Sequence, residues 1–235
     1  GWLFIAAVLV LYGLYFYVYN LRAGYPYISY SLSAIAFIML ITVPVLTMRS
    51  FAEEHYISIV DPEVGYLLHL LTGLVQPQTI LEIGTAIGCS AIYMARAMEK
   101  GTITTIELQE QRHRMALEYF QRAGVAEKID ARLGDARKLV PEMEAQYDMI
   151  FMDAAKGQYP EFLVAADDIL KPGGLLVADN VLLNGWVVDL QYPRHRQKTM
   201  VYRMKAFLEH FKEDGRYQCS VVPLGDGVAI IRKVK

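Results

Sequence analysis

The apolar positions of this chain follow three patterns. The first is continuous: Trp2–Tyr19 and Tyr27–Leu46 are almost unbroken apolar stretches. Each is about 20 residues long, near the length that spans a bilayer as a helix. Between them, Asn20-Leu21-Arg22-Ala23-Gly24-Tyr25-Pro26 has the chemistry of a turn. Tyrosines cluster near the segment ends, as in an interfacial belt. The expectation is a transmembrane helical hairpin, with Pro44 tolerated near a helix end.

The other two patterns, helical and strand-like, alternate from residue 49 onward. Arg49–Tyr56 is polar and reads as helix. Asp61-Pro62-Glu63 opens a second helix, with Asp61 as N-cap and Pro62 at the first helical position. That helix runs through Leu74 and ends at Gln76-Pro77-Gln78. Apolar runs at Thr79–Ile83, Tyr147–Met152 and Leu175–Ala178, the β-branched run Thr102–Ile106 and the stretch Ile129–Leu133 predict strands. Stretches at Cys89–Met98, Gln109–Ala123, Ala136–Met143, Tyr159–Leu170 and Lys198–Lys212 predict helices. Lys171-Pro172-Gly173-Gly174 reads as a turn. Tyr217–Pro223 and Val228–Arg232 read as a closing strand pair around Gly225-Asp226-Gly227. Alternating β and α units imply an α/β fold, its sheet parallel and covered by helices on both faces. Ligands of such sheets lie beyond the carboxyl ends of the strands.

Composition sharpens the division of the chain. Its 235 residues suffice for one core of ordinary size plus an appendage. Every Asp and Glu lies after residue 50, and Arg22 is the only charged residue before Arg49. A hydrophobic segment over residues 1–48 and a charged domain over 49–235 follow. The domain is expected in the cytoplasm, anchored through residues 2–46 if the hairpin spans a membrane. Arg22 opposes Arg49, so the orientation of a hairpin stays open. The front end lacks the basic start and small-residue cleavage site of a signal peptide. It begins with Gly rather than Met, so a non-native fusion is the alternative to an anchor. A net charge of -2 supplies no global basic field for nucleic acid, which leaves a local patch open. Cys89 and Cys219 form neither a disulfide framework nor a metal spacing and read as small buried hydrophobes.

Candidate chemistry collects where apolar runs end. Asp153-Ala154-Ala155-Lys156 closes one predicted strand and Asp179-Asn180 closes another. Two carboxylates and an amide oxygen suit a hard, Mg²⁺-like cation with positions left for substrate. The Lys156 amine beside such a cation is a candidate base. Turn chemistry for Asp179-Asn180 and a solvated Lys156 are the simpler readings of either cluster alone. Leu81-Glu82-Ile83-Gly84-Thr85-Ala86-Ile87-Gly88 joins the first strand to its helix. Its glycines allow a tight turn and close approach of a ligand, although the spacing is neither a dinucleotide fingerprint nor a P-loop. Glu107 closes the second strand, where a carboxylate can accept both hydroxyls of a ribose. Gly134-Asp135-Ala136 closes the third and can face an adenine edge, or Asp135 can simply cap a helix.

With these residues in place, the chain resembles the class I S-adenosylmethionine-dependent methyltransferases. More narrowly, it is similar to the cation-dependent O-methyltransferases that include catechol and caffeoyl-CoA enzymes. The resemblance covers about Arg49 to Lys235. It rests on LEIGTAIGCSAIYMA, TIE, GDA, FMDAAKGQYPEF, VADNVLLNGWV and PLGDGVAI in that order. DAAKGQY and AEEH are most similar to bacterial tRNA 5-hydroxyuridine methyltransferases, whereas plant-type members carry an acid where Ala155 stands. The hydrophobic front end departs from the soluble helical start of those tRNA-modifying relatives.

The resemblance implies a Rossmann-like doubly wound sheet, mostly parallel with an antiparallel C-terminal strand. It implies S-adenosylmethionine held by Glu82, Gly84, Gly88, Ser90, Glu107, Gly134, Asp135, Ala136 and Asp153. It also implies Mg²⁺ or another divalent cation at Asp153, Asp179 and Asn180, Lys156 as the base, and a homodimer. The substrate it favours is 5-hydroxyuridine at the tRNA wobble position, whose 4-oxo and 5-hydroxyl oxygens are vicinal. A small catechol-like or caffeoyl-CoA-like phenol shares that geometry and is the alternative. A membrane-anchored protein that binds S-adenosylmethionine without catalysis is the third reading. Ile59 and Val60 line a ligand site or pack in the core. Arg194, Arg196 and Lys198 meet tRNA phosphates or start a solvated helix.

Overall fold

β-Branched residues are densest in TILEI and TITTIE, the first two of five runs that pair into a parallel sheet. They are β1 (Thr79–Ile83), β2 (Thr102–Glu107), β3 (Ile129–Leu133), β4 (Tyr147–Met152) and β5 (Leu170–Ala178). The closing hairpin is β6 (Tyr217–Val222) and β7 (Val228–Lys233). The helices are α1 (Pro62–Val75), α2 (Cys89–Ala97), α3 (Glu110–Arg122), α4 (Ala136–Leu139), α5 (Tyr159–Ile169) and α6 (Lys198–Glu213). A short 3₁₀ turn, Lys156–Gln158, leads into α5. Asp61 is the N-cap of α1 and Pro62 opens it, while Gln76 ends it in the left-handed region with its N–H on the Thr72 carbonyl.

This computed structural model describes residues 45, 47–154, 156–188 and 197–234. All but Val45 of the expected hairpin, Ala155 and the run Arg194-His195-Arg196 lie outside the described residues. Residues 1–50 and 51–235 form separate compact units. Among the described residues, no helix is long and apolar enough to cross a membrane.

In the second unit the strand order is β3-β2-β1-β4-β5-β7-β6. The chain runs outward from β1 to β3 and then returns to place β4 on the other side of β1. The switch point of the sheet therefore lies between β1 and β4, where ligands of such folds bind. β1 through β5 are parallel, and β7 is antiparallel to both β5 and β6.

Strand alternation assigns the two faces. Leu81, Ile83, Ile150, Met152, Leu176 and Ala178 point into one core with Tyr159, Phe162, Phe207 and Phe211 of α5 and α6. α1 packs on α2, and on that side the Thr72 hydroxyl of α1 reaches the Met149 sulfur at 3.8 Å. Val60 is buried and Ile59 half-buried.

One boundary is corrected. The expected turn Lys171–Gly174 lies inside β5, which starts at Leu170. Leu170 pairs with Tyr147, the next pair is Leu175 with Met149, and the register shifts between them. Gly173 takes φ +82° there, so the turn chemistry serves a bulge within the strand rather than ending pairing.

Candidate functional site

Gly84 and Asp153 meet at the switch point. A Cβ on Gly84 would lie 2.5 Å from the Asp153 carbonyl oxygen, and its φ of +102° belongs to the region that favours glycine. The Gly84 and Thr85 N–H groups donate to the Ile106 carbonyl at 3.1 and 3.2 Å. The Asp153 N–H donates to the Ile83 carbonyl at 3.0 Å. The turn after β1 is thereby fixed between the ends of β2 and β4. At its far end Gly88, φ +94°, opens α2 with no room for a side chain against Phe120.

Glu107 is held as an acceptor. Its carboxylate receives the Ala86 N–H at 2.8 Å and the Gln109 N–H at 2.9 Å, one on each oxygen. It is 6% exposed. A carboxylate has about four acceptor positions, so capacity for two further donors remains at the strand end. The Gly134 N–H donates to the Glu107 carbonyl at 2.8 Å, which brings the end of β3 alongside.

Glu82 lies deeper. It is 0% exposed and accepts from the Ser90 and Thr105 hydroxyls, one on each oxygen. The Thr85 and Thr105 hydroxyls are 2.5 Å apart. With Thr105 donating to Glu82, Thr85 is the donor to Thr105. Glu82 pairs with Thr105 across β1 and β2, which puts both side chains on one face of the sheet with Glu107 two residues further on. Burial pushes the Glu82 carboxyl up to about 7; its two hydrogen bonds oppose this and Glu107 adds to it. Glu82 and Ser90 thus sit beneath the glycine turn and bind each other.

Asp135 is the N-cap of α4 and accepts the Arg137 N–H at 3.0 Å. The Arg137 guanidinium also pairs with it at 2.6 Å and lowers its pKa. Of the two readings of Asp135, the structure displays the cap. Its neighbours Gly134 and Ala136 are half-buried.

Asp153 and Asp179 extend neighbouring strands from the paired residues Met152 and Ala178. The Asp179 N–H donates to the Met152 carbonyl at 3.0 Å and continues the ladder. Asp179 is 2% exposed, and its Oδ1 accepts the Asn180 N–H at 2.7 Å. Asn180 adopts φ +56°, a conformation Asn tolerates. The loop it starts is docked on the β6–β7 turn: Val181 and Leu182 N–H donate to Gly227 and Asp226 carbonyls, both at 2.9 Å.

Under both carboxylates lies Tyr159. Its hydroxyl donates to the carbonyls of Met152 and Asp179 at 3.0 and 2.9 Å. Burial raises its pKa well above the usual tyrosine value, and Asp153 and Asp179 both add to the rise. Both carboxylates therefore act on one phenol. With the amide of Asn180, the residue after Asp179, they would make an all-oxygen donor set of the kind a hard divalent cation takes. Among the described residues no group of three or more His, Cys, Asp and Glu is placed to hold a metal; the third donor here is an amide. Lys156 follows within the 3₁₀ turn.

Thr85, Thr105, Ala86 and Tyr159 were not singled out from sequence. Thr105 carried a signal, as a polar residue two before Glu107 in an apolar strand. Tyr159 carried only its place in FMDAAKGQYPEF.

A family model described as O-methyltransferase matches residues 41–234. A catechol O-methyltransferase of Niastella koreensis is 39% identical over 147 residues, 60% of this chain and 66% of that protein, just under two thirds of its length. A caffeoyl-CoA O-methyltransferase of Arabidopsis thaliana is 32% identical over 198 residues, 80% of this chain and 76% of that protein. Among solved structures, the O-methyltransferase TomG of Streptomyces achromogenes, in complex with S-adenosylmethionine, superposes with a TM-score of 0.73. It is 29% identical, over 82% of this chain and 90% of that one.

Proposed function

This chain belongs to the O-methyltransferase family, and on that premise we propose that it moves a methyl group from S-adenosylmethionine to a catechol-like phenol. The observation that carries the site is the contact of Gly84 with Asp153. It sets the glycine turn against the oxygen-rich strand ends, so donor and acceptor of the methyl group share one place.

Each residue then has a task. Glu107, already oriented by two backbone N–H groups, accepts the hydroxyls of the ribose. The turn Gly84–Gly88 lets the backbone approach the sulfonium end, and Glu82 with Ser90 and Thr105 holds that turn from below. Asp153, Asp179 and Asn180 would hold a divalent cation. When bound, the cation would supply the positive charge that makes a substrate hydroxyl more acidic. S-adenosylmethionine supplies the reactive methyl. Lys156, in the turn after β4, accepts the proton released from the substrate hydroxyl. The rest of the rate comes from alignment, which is worth up to about 7–11 kcal/mol in such reactions.

A phenol with two vicinal oxygens is favoured by the catechol and caffeoyl-CoA relatives and by a net charge of -2. Wobble 5-hydroxyuridine of tRNA is the second reading, supported by Ala155 within DAAKGQY. Transfer of labelled methyl from S-adenosylmethionine to a catechol panel and to hydroxyuridine-containing tRNA, each with and without EDTA, separates them. The expected result is labelled phenol and loss of label with EDTA. Label on tRNA alone replaces the first reading with the second, and label on neither overturns both.

A further inference from the structure

Tyr159 opens α5 directly after the turn Lys156–Gln158, and its side chain is wholly buried. The two carbonyls it binds, of Met152 and Asp179, belong to the peptide groups Met152–Asp153 and Asp179–Asn180. Those two peptides carry all three oxygen donors of the site. The Met152 carbonyl also receives the Asp179 N–H, so the hydroxyl completes a three-way junction between the ends of β4 and β5. Behind it the ring meets Phe207 edge-on at 5.5 Å, and Phe207 meets Phe211 at 5.1 Å. This aromatic column of α6 fixes where the hydroxyl sits. From the outer side, Arg203 of α6 donates to the Gly157 carbonyl at 2.6 Å. The turn bearing Lys156 is therefore tied at its middle residue by Arg203 and at its exit by Tyr159.

We infer that Tyr159 is a positioning residue, whose hydroxyl locks Asp153, Asp179 and Asn180 into one cation-binding unit and holds the Lys156 turn against it. The inference rests on the cation reading given above. Without the hydroxyl, two buried carbonyls lose a donor and the strand ends can shift independently. Groups that orient metal ligands in this way typically change metal affinity by about 10–100-fold when removed.

The test is a Mn²⁺ titration followed by electron paramagnetic resonance. It uses the whole chain, with saturating S-adenosylmethionine to favour the folded state. Tyr159→Phe is expected to bind Mn²⁺ about 10-fold more weakly or worse, with affinity for S-adenosylmethionine within about twofold. Asp148→Ala, at the far end of β4, serves as the control for a loss of stability alone and keeps the wild-type Mn²⁺ affinity. Unchanged Mn²⁺ affinity in Tyr159→Phe overturns the inference while leaving the cation reading intact. Absence of Mn²⁺ binding by the wild type overturns both. If Tyr159→Phe does not fold, Phe207→Leu loosens the seat of the ring and keeps the hydroxyl. An affinity loss of about threefold then supports the inference, and wild-type affinity overturns it.

Discussion

Ala86 N–H donates to Glu107 Oε2 at 2.8 Å, so the carboxylate proposed to receive the ribose also fixes the glycine turn Gly84–Gly88. One residue thus couples the two halves of the proposed methyl-donor site. Glu107→Gln removes the charge and turns an N–H₂ toward one of its two backbone donors. Hydrogen bonds to charged groups are worth about 1.5–3 kcal/mol. The expected outcome is affinity for S-adenosylmethionine lowered by about 10–100-fold, read by calorimetric titration.

Glu82 makes stability depend on pH. Its folded pKa, about 7, lies above the unfolded value of 4.5. For a carboxyl raised in this way, the folded state holds the extra proton. The contribution is full below the unfolded pKa and is lost as pH rises through the folded one. Relative to Glu82→Gln, the wild type should lose about 3 kcal/mol of stability between pH 4.5 and 8. Urea unfolding of both proteins across that range measures the difference. A constant difference contradicts it.

Gly84 has no room for a methyl group. Gly84→Ala would force a Cβ to 2.5 Å from the Asp153 carbonyl oxygen in a left-handed conformation. Such backbone strain costs about 1–3 kcal/mol, and the clash is with backbone, which cannot rotate away. A melting temperature lower by several degrees, together with loss of methyl transfer, is expected in thermal scans and activity assays.

Asp148 acts at the opposite end of the sheet. Its carboxylate accepts from the Gln78 and Thr79 N–H groups, both at 2.9 Å, and pairs with Lys171 at 2.7 Å. Burial works to raise its pKa, but the Lys171 and Thr79 hydrogen bonds prevail and lower it. A lowered carboxyl contributes stability above its unfolded pKa and loses it as pH falls through the folded one. Asp148→Asn should therefore destabilise the protein near neutrality and have less effect under strong acid, with affinity for S-adenosylmethionine unchanged.

The sequence was informative where local pattern decides structure. β1 and β4 match their expected spans because apolar runs bounded by Gly, Pro or charge have no competing period, and β3 matches because Ile129-Asp130-Ala131-Arg132-Leu133 alternates apolar and polar residues before Gly134. The placement of Gly84, Glu107, Asp153 and Asp179 at strand ends was legible because each stands where such a run ends. Lys171–Gly174 was misread because Pro-Gly-Gly signals a bend and does not say whether pairing resumes on the far side; Leu170 still pairs with Tyr147. The bonds of Glu82 with Thr105 and of Tyr159 with Asp179 were not legible at all. They join residues about 20 positions apart in sequence, and only the register of neighbouring strands and the entry angle of α5 bring them together.

We propose that the strand ends carrying Asp153, Lys156, Asp179 and Asn180 perform methyl transfer beside a separate binding turn. Measuring single-turnover methyl transfer and S-adenosylmethionine affinity together for Lys156→Ala tests it most directly. Loss of a general base costs about 10²–10⁴-fold in rate, so transfer should fall by at least about 100-fold while affinity stays within about twofold. Transfer at the wild-type rate would contradict the account.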